Sequence, residues 1–150
     1  KFNKINEVEI FGNYSLVEKI STLNNLKFKG VLNRDDVKQT LMQKKRIFLL
    51  LELNPPCPNS MIEALCLGIP CVGFNSGSFE ELLKGAGISL PYNEDVWQLE
   101  PPKMEGLADA ISIVEKNYED FSVKAHEIAQ GYSLSRMCNS YLKIILKQTN

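Results

Sequence analysis

The stretch IFLLLELNPPCPNSMIEALCLGIPCVGF, Ile47 to Phe74, decides how this chain folds. It opens on an unbroken apolar run, Ile47 to Leu51, which suits a strand covered on both faces in the middle of a sheet. Pro55, Pro56 and Pro58 then stiffen the connection, because each ring fixes φ and removes a donor. A helix is predicted from Ser60 to Leu67, stopped by Gly68 and Pro70. A second apolar run, Cys71 to Phe74, reads as a short strand. Strand, helix and strand in such short succession make a βαβ unit, so the sheet is expected to be parallel.

Working outward, Val8 to Phe11 reads as a strand, and Ser15 to Leu23 as a helix with Ser15 and Glu18 at capping-box spacing. Leu26 to Val31 is the next strand, and Asn33 is placed to cap a helix from Arg34 to Lys44. Downstream, Ser78 and Glu81 are spaced to cap a further helix, and Ile88 to Leu90 forms an edge strand. Beyond Pro101 and Pro102 the pattern is helical. Met104, Leu107, Ala108, Ile111 and Val114 line one face; Leu134, Met137, Cys138, Tyr141 and Ile145 line another. The expected fold is α/β: a single doubly wound, Rossmann-like parallel sheet of about five strands with C-terminal helices, one domain over residues 1–150. Ligands of such sheets bind beyond the carboxyl ends of the strands, which directs attention to the loops after Phe11, Val31, Leu51 and Phe74.

Bulk properties narrow the function. Seventeen basic and 18 acidic residues are well mixed along the 150 positions, a net charge of −1 with no basic stripe for nucleic acid. No apolar run approaches the ~20 residues of a membrane span, and the opening KFNKINEVEI is too polar for a signal peptide. A cytoplasmic protein is expected, or one peripheral at the inner face of a membrane. Cys57, Cys66, Cys71 and Cys138 form no CxxC pair and the only histidine is His126, so no metal site is expected. Cys66 and Cys138 fall on apolar helix faces and are expected as buried, reduced thiols. A first residue of Lys1 suggests a piece of a longer protein, and the Lys- and Asn-rich composition a bacterial, AT-rich genome.

The chemistry is concentrated between Asn54 and Leu83. The proline loop delivers the chain into a helix beginning near Asn59 and Ser60, and a helix start offers unpaired N–H groups and a positive dipole end to a diphosphate. Glu63, one turn in, is placed to accept hydrogen bonds from a ribose hydroxyl pair. Asn75, Ser76 and Gly77 form a second polar loop where glycine admits a ligand close to backbone. A structural reading stands beside each of these. Ser60 and Glu63 have capping-box spacing, Asn59 has the chemistry of a cap, and Asn75 to Gly77 that of a turn.

CPNSMIEALCLGIPCVGFNSGSFEEL resembles the signature of family 4 of the retaining glycosyltransferases, whose architecture is the two-Rossmann GT-B fold. Their C-terminal domain carries an E-x7-E motif, and Glu63 falls at its second acid. KFKGVLNRDDVKQTL upstream resembles the strand, glycine and loop that precede this motif, and SLSRMCNSYLKIIL the closing helix; the resemblance covers Val8 to Leu146. It implies a donor-binding domain with no cofactor beyond the nucleotide-diphosphate sugar. Glu63 would hold the ribose, and Asn59 and Ser60 the diphosphate. Gly30, Val31 and Leu32 would bracket the base, and Pro55, Pro56 and Cys57 would face the transferred sugar; Ser76 and Gly77 stay donor-binding candidates through the second polar loop. Two departures accompany it. The first acid is replaced by Pro55, and the strand with the basic residues that neutralise the diphosphate, which the family places ahead of Val8, is expected to be missing from this sequence. The acceptor-binding N-terminal domain is expected outside this chain, which alone is expected to be inactive.

Two functions therefore stand: the donor-binding half of a hexosyltransferase using a UDP- or GDP-type donor and a saccharide or lipid acceptor, or a non-catalytic module for nucleotide-sugar sensing or assembly. No catalytic side chain is assigned, since no Ser-His-Asp or Cys-His arrangement is evident and the retaining scheme needs no side-chain nucleophile. A phosphoacceptor receiver domain would need an aspartate where this chain has Leu51-Glu52-Leu53-Asn54.

Overall fold

The computed structural model describes residues 7–12 and 25–147. The helix expected over Ser15 to Leu23 lies outside them. The chain divides into two compact units, residues 1–44 and 45–150.

In the first unit, β1 (Val8–Phe11) pairs in parallel with β2 (Leu26–Gly30). Lys27 meets Glu7 at 2.5 Å and Lys29 meets Glu9 at 3.2 Å, so opposite charges follow the strand pairing. Burial is not the cause of the raised Lys27 pKa; the hydrogen bond and charge of Glu7 hold its proton. Helix α1 (Arg34–Met42) starts as expected, with the Asn33 side chain accepting the Asp36 N–H at 2.9 Å.

The second unit carries a parallel ladder of β3 (Phe48–Leu50), β4 (Cys71–Phe74) and β5 (Gly87–Leu90), in that order. Each described strand runs parallel to the strands it pairs with, as a pair in the first unit and a triplet in the second. Within the triplet the middle strand is β4, every residue of which is buried, while β3, among the described residues, pairs with β4 alone. The apolar run of Ile47 to Leu51 thus forecast a strand, but only Leu50 is buried, Leu51 is 44% exposed past the strand's end, and within the triplet the central place goes to β4. Apolarity records what lies above and below a strand, not which strands lie beside it.

The two faces of β4 are packed differently. Val72 points with Leu49 and Ile88 into a core closed by Ala110 and Val114 of α4 (Leu107–Lys116). On the opposite face Gly73 leaves room for the Phe79 ring of α3 (Phe79–Leu83); a Cβ there would lie 2.9 Å from it. Helix α2 (Asn59–Cys66) packs on α5 (Tyr118–Ala129) and against β3 and β4. Burying Met61 and Leu65 completely contributes about 1.5–3 kcal/mol each. Gly68, at φ +68, ends α2 in a Schellman turn: its N–H bonds the Leu65 carbonyl and that of Ile69 bonds the Ala64 carbonyl, both at 3.0 Å.

Several expectations for side chains change. Cys66 and Cys138 are exposed, and Cys71 is the buried thiol, its pKa pushed up to about 12 by burial. Cys66 follows Glu63 by three positions and so shares that residue's outer face rather than the Met61, Ala64, Leu65 face. In α4 the buried positions are Ala110 and Val114, while Met104 lies before the helix and is exposed, because α4 begins only at Leu107. The amphipathic period of α6 (Leu134–Lys147) is present, yet none of its residues is buried. No described helix is long and apolar enough to cross a membrane.

Candidate functional site

The carboxyl ends of β3 and β4 open into two loops that are bolted together. The Pro55 carbonyl accepts the Ser78 N–H at 2.9 Å and the Ser78 hydroxyl at 3.2 Å. The Asn54 N–H donates to the Ser76 hydroxyl at 3.3 Å. Ser76 is only 6% exposed, so its hydroxyl is committed to holding the loops. Gly77, at φ +54, passes so close that a Cβ would fall 2.2 Å from the Pro55 carbonyl oxygen and 2.7 Å from the Pro55 nitrogen. Close approach as well as backbone conformation thus demands glycine. The Asn75 N–H reaches the Leu90 carbonyl at 2.7 Å and ties the same loop to the end of β5.

These bonds settle how the serines are used. Ser78 occupies the N-cap position of α3 but makes no side-chain cap bond; its hydroxyl is taken by Pro55, which overturns the expected cap. The capping box of Ser60 and Glu63 does not form either. Pro58 holds the N-cap of α2, placing Ser60 inside the first turn and Glu63 at the fifth helical position.

What remains at the start of α2 is an open positive end. Pro58 has no side-chain acceptor to offer, and the first turn holds no acid. The Met61 and Ile62 N–H groups return to the Pro58 carbonyl at 3.0 and 3.3 Å, while those of Asn59 and Ser60 precede the first helical bond. Asn59, Ser60 and Glu63 are all exposed, and the spacings of three and four put them on one face. Pro56 and Cys57 are exposed just before them; the Pro55 ring is fully buried.

Of the residues predicted for the site, Asn59, Ser60, Glu63, Pro55, Pro56, Cys57, Ser76 and Gly77 lie in the second unit at this edge. Gly30 ends β2, and Val31 and Leu32 follow it, in the first unit. Gly30 has φ +74 and Val31 is 76% exposed. Asn54 and Ser78 were missed as parts of the edge. Their partners lie 22 and 23 residues away in sequence, and no local spacing announces such bonds. Among the described residues no three His, Cys, Asp or Glu side chains gather as metal ligands.

The description "Glycosyl transferases group 1" matches the chain over residues 10–130. The chain belongs to that family. Its structural likeness extends further along the chain. The pneumococcal O-GlcNAc transferase GtfA, solved with UDP and GlcNAc, superposes with a TM-score of 0.72 at 17% identity, over 94% of this chain and 29% of its own. Anabaena HepE, solved with UDP-glucose, gives a TM-score of 0.68 at 16% identity, over 95% of this chain and 41% of its own. A glycosyltransferase from Rickettsia africae gives 0.67 at 17%, over 92% and 38%. The group 1 chain thus spans less than half the length of these neighbours, with which it shares the α/β fold. No curated protein sequence matches it.

Proposed function

We propose that this chain is the donor-binding half of a retaining, family 4-like hexosyltransferase. The donor is a UDP- or GDP-type sugar and the acceptor a saccharide or lipid, and a separate N-terminal domain completes the enzyme. The observation that carries the reading is the start of α2, uncapped and free of acid, with Asn59, Ser60 and Glu63 on one exposed face. A diphosphate at that end receives backbone N–H groups and the helix dipole. Glu63 then lies one turn further along to accept from the ribose hydroxyls. Pro56, Cys57, Ser76 and Gly77 border the sugar. The UDP and UDP-glucose carried by GtfA and HepE support a nucleotide diphosphate as the ligand.

In the reaction the anomeric carbon–oxygen bond to the diphosphate breaks as the acceptor oxygen attacks the same face, and the acceptor proton passes to the departing phosphate oxygen. The protein's part is positioning and charge stabilisation, with no metal and no cofactor. This chain alone binds donor without transferring sugar. One observation favours the second reading, a nucleotide-sugar sensor: the position of the first motif acid is held by the buried ring of Pro55.

Titration calorimetry with UDP and GDP tests the site. Glu63→Gln is expected to weaken binding by about 1.5–3 kcal/mol, the range for a hydrogen bond to a charged acceptor. Unchanged affinity in Glu63→Gln removes Glu63 from the site, and absence of nucleotide binding removes the reading.

A further inference from the structure

The connection after β5 carries an exposed aromatic that the donor site leaves unused. It starts at Leu90, whose carbonyl holds the Asn75 N–H, and therefore beside the Ser76–Gly77 loop. Tyr92 sets its ring edge-on to Phe74, centroids 6.5 Å apart, and its hydroxyl donates to the Glu100 carbonyl. Asp95 accepts the Trp97 N–H at 2.8 Å and the Gln98 N–H at 3.2 Å, and its own N–H donates to the Glu100 carboxylate at 3.0 Å. The Glu100 N–H closes the turn on the Asp95 carbonyl at 3.2 Å. At the tip of this tied turn stands Trp97, 82% exposed, with Leu99 beside it at 59%.

Taken with the donor site proposed above, on which it rests, we infer that the turn Asn93–Glu100 is a saccharide platform. The Trp97 indole stacks against a pyranose ring of the acceptor at the mouth of that site. A pyranose presents an apolar C–H face that suits the negative face of an aromatic ring, and a rim of hydroxyls that need acceptors. The turn supplies both. Residues 93–105 hold four carboxylates, Glu94, Asp95, Glu100 and Glu105, against one cation, Lys103, which pairs with Glu94 at 2.7 Å. That rim accepts from hydroxyls and repels phosphates and anionic lipid surfaces. Because the turn is already ordered, little conformational entropy is lost when a ligand settles on it.

Trp97 is the single tryptophan of the chain, so its emission reports on the platform alone. The probes are maltotriose, cellotriose and chitotriose at millimolar concentration, with and without UDP, and calorimetry follows UDP separately. At least one trisaccharide is expected to quench the emission saturably and shift it to the blue. Trp97→Ala should abolish saccharide binding by ligand-observed NMR and leave UDP affinity unchanged, and Trp97→Phe should retain part of it. If UDP binds while no trisaccharide moves the emission, or if Trp97→Ala binds saccharide like the parent, the platform is wrong and the donor site stands. A response only to a lysine-rich peptide or to phosphatidylcholine vesicles also overturns it. A saccharide response without UDP binding keeps the platform and removes the donor reading; no response to either removes both.

Discussion

Gly77 lies against the backbone of Pro55 with no space for a side chain: a Cβ on Gly77 would stand 2.2 Å from the Pro55 carbonyl oxygen. The atom in the way is main chain, held in turn by the Ser78 N–H and hydroxyl, so it has no flexible end to swing aside. Gly77→Ala adds a left-handed penalty of about 1–2 kcal/mol to an overpacking cost of about 1–3 kcal/mol. The unfolding free energy is expected to fall by their sum, about 2–5 kcal/mol, which lowers the urea midpoint at constant slope. UDP affinity is expected to drop with it, because the displaced loop ends at α2. A Gly77→Ala protein as stable as its parent would contradict the close approach.

The two serines that bolt the loops should differ in what they cost. Ser76→Ala removes the acceptor of the part-buried Asn54 N–H and leaves that donor without its partner, which costs about 1–3 kcal/mol. Ser78→Ala removes only one of two donors to the Pro55 carbonyl, which keeps the Ser78 N–H, so the loss is that of a single ordinary bond, about 0.5–1.5 kcal/mol. Equilibrium unfolding ranks them, and a larger loss in Ser78→Ala would reverse the assignment.

These bonds also mark where the sequence stops being legible. Cys71 to Phe74 was readable to the residue because its apolar run is bounded by Pro70 and Asn75, and Val8 to Phe11 because its three apolar residues around Glu9 stand between Glu7 and Gly12. The Asn33 cap was readable because cap and recipient lie three residues apart. The caps assigned to Ser60 and Ser78 failed for the converse reason. Spacing shows what a hydroxyl can reach locally, and these serines lie where a proline takes the cap position or a distant carbonyl takes the hydroxyl. That Asn59, Ser60 and Glu63 share one exposed face of α2 was legible from their spacing, but the start of the helix was not. Pro58 as N-cap follows from φ and ψ that only the folded loop fixes. In α6 the apolar period was legible, while its exposure was not, because a pattern announces a face and never what covers it.

The thiols provide a test that needs no ligand. Cys57, Cys66 and Cys138 are exposed and should react with an aromatic disulfide reagent at pH 8 in the folded protein; Cys71 should react only on unfolding. Burial disfavours the Cys71 thiolate, raising its pKa from 9.0 to about 12. The unfolded chain therefore loses this proton first as pH rises, and binds fewer protons than the native state between pH 9 and 12. Stability contributed by the neutral thiol is complete below pH 9 and declines through that window, by at most about 1.4 kcal/mol per pH unit. Cys71→Ala should flatten the decline. Rapid labelling of all four thiols in the native protein would place Cys71 at the surface.

The last prediction concerns the sugar itself. The position that holds the first acid in the resembled family is Pro55 here, and its ring is fully buried while its carbonyl is spent on Ser78. Neither can orient a donor sugar, and proline has no N–H to lend. Asn54, at φ +51, is the nearest amide, and it brings hydrogen bonds without charge. Affinity should therefore reside in the nucleotide and diphosphate, with UDP and its glucose, galactose and N-acetylglucosamine conjugates binding within about tenfold of one another, or 1.4 kcal/mol. Reinstating the acid should not repair this. Pro55→Glu sets a carboxylate where the ring is packed, and burying a polar group without a partner costs at least about 1–3 kcal/mol. Its expected result is a lower melting temperature with no gain in discrimination. Calorimetry of the four ligands against both proteins decides the matter. A conjugate that binds the parent more than tenfold tighter than UDP would show a working sugar pocket built without the acid. A Pro55→Glu protein that keeps its stability and gains such a preference would show that the buried ring, rather than the fold of the loop, had displaced it.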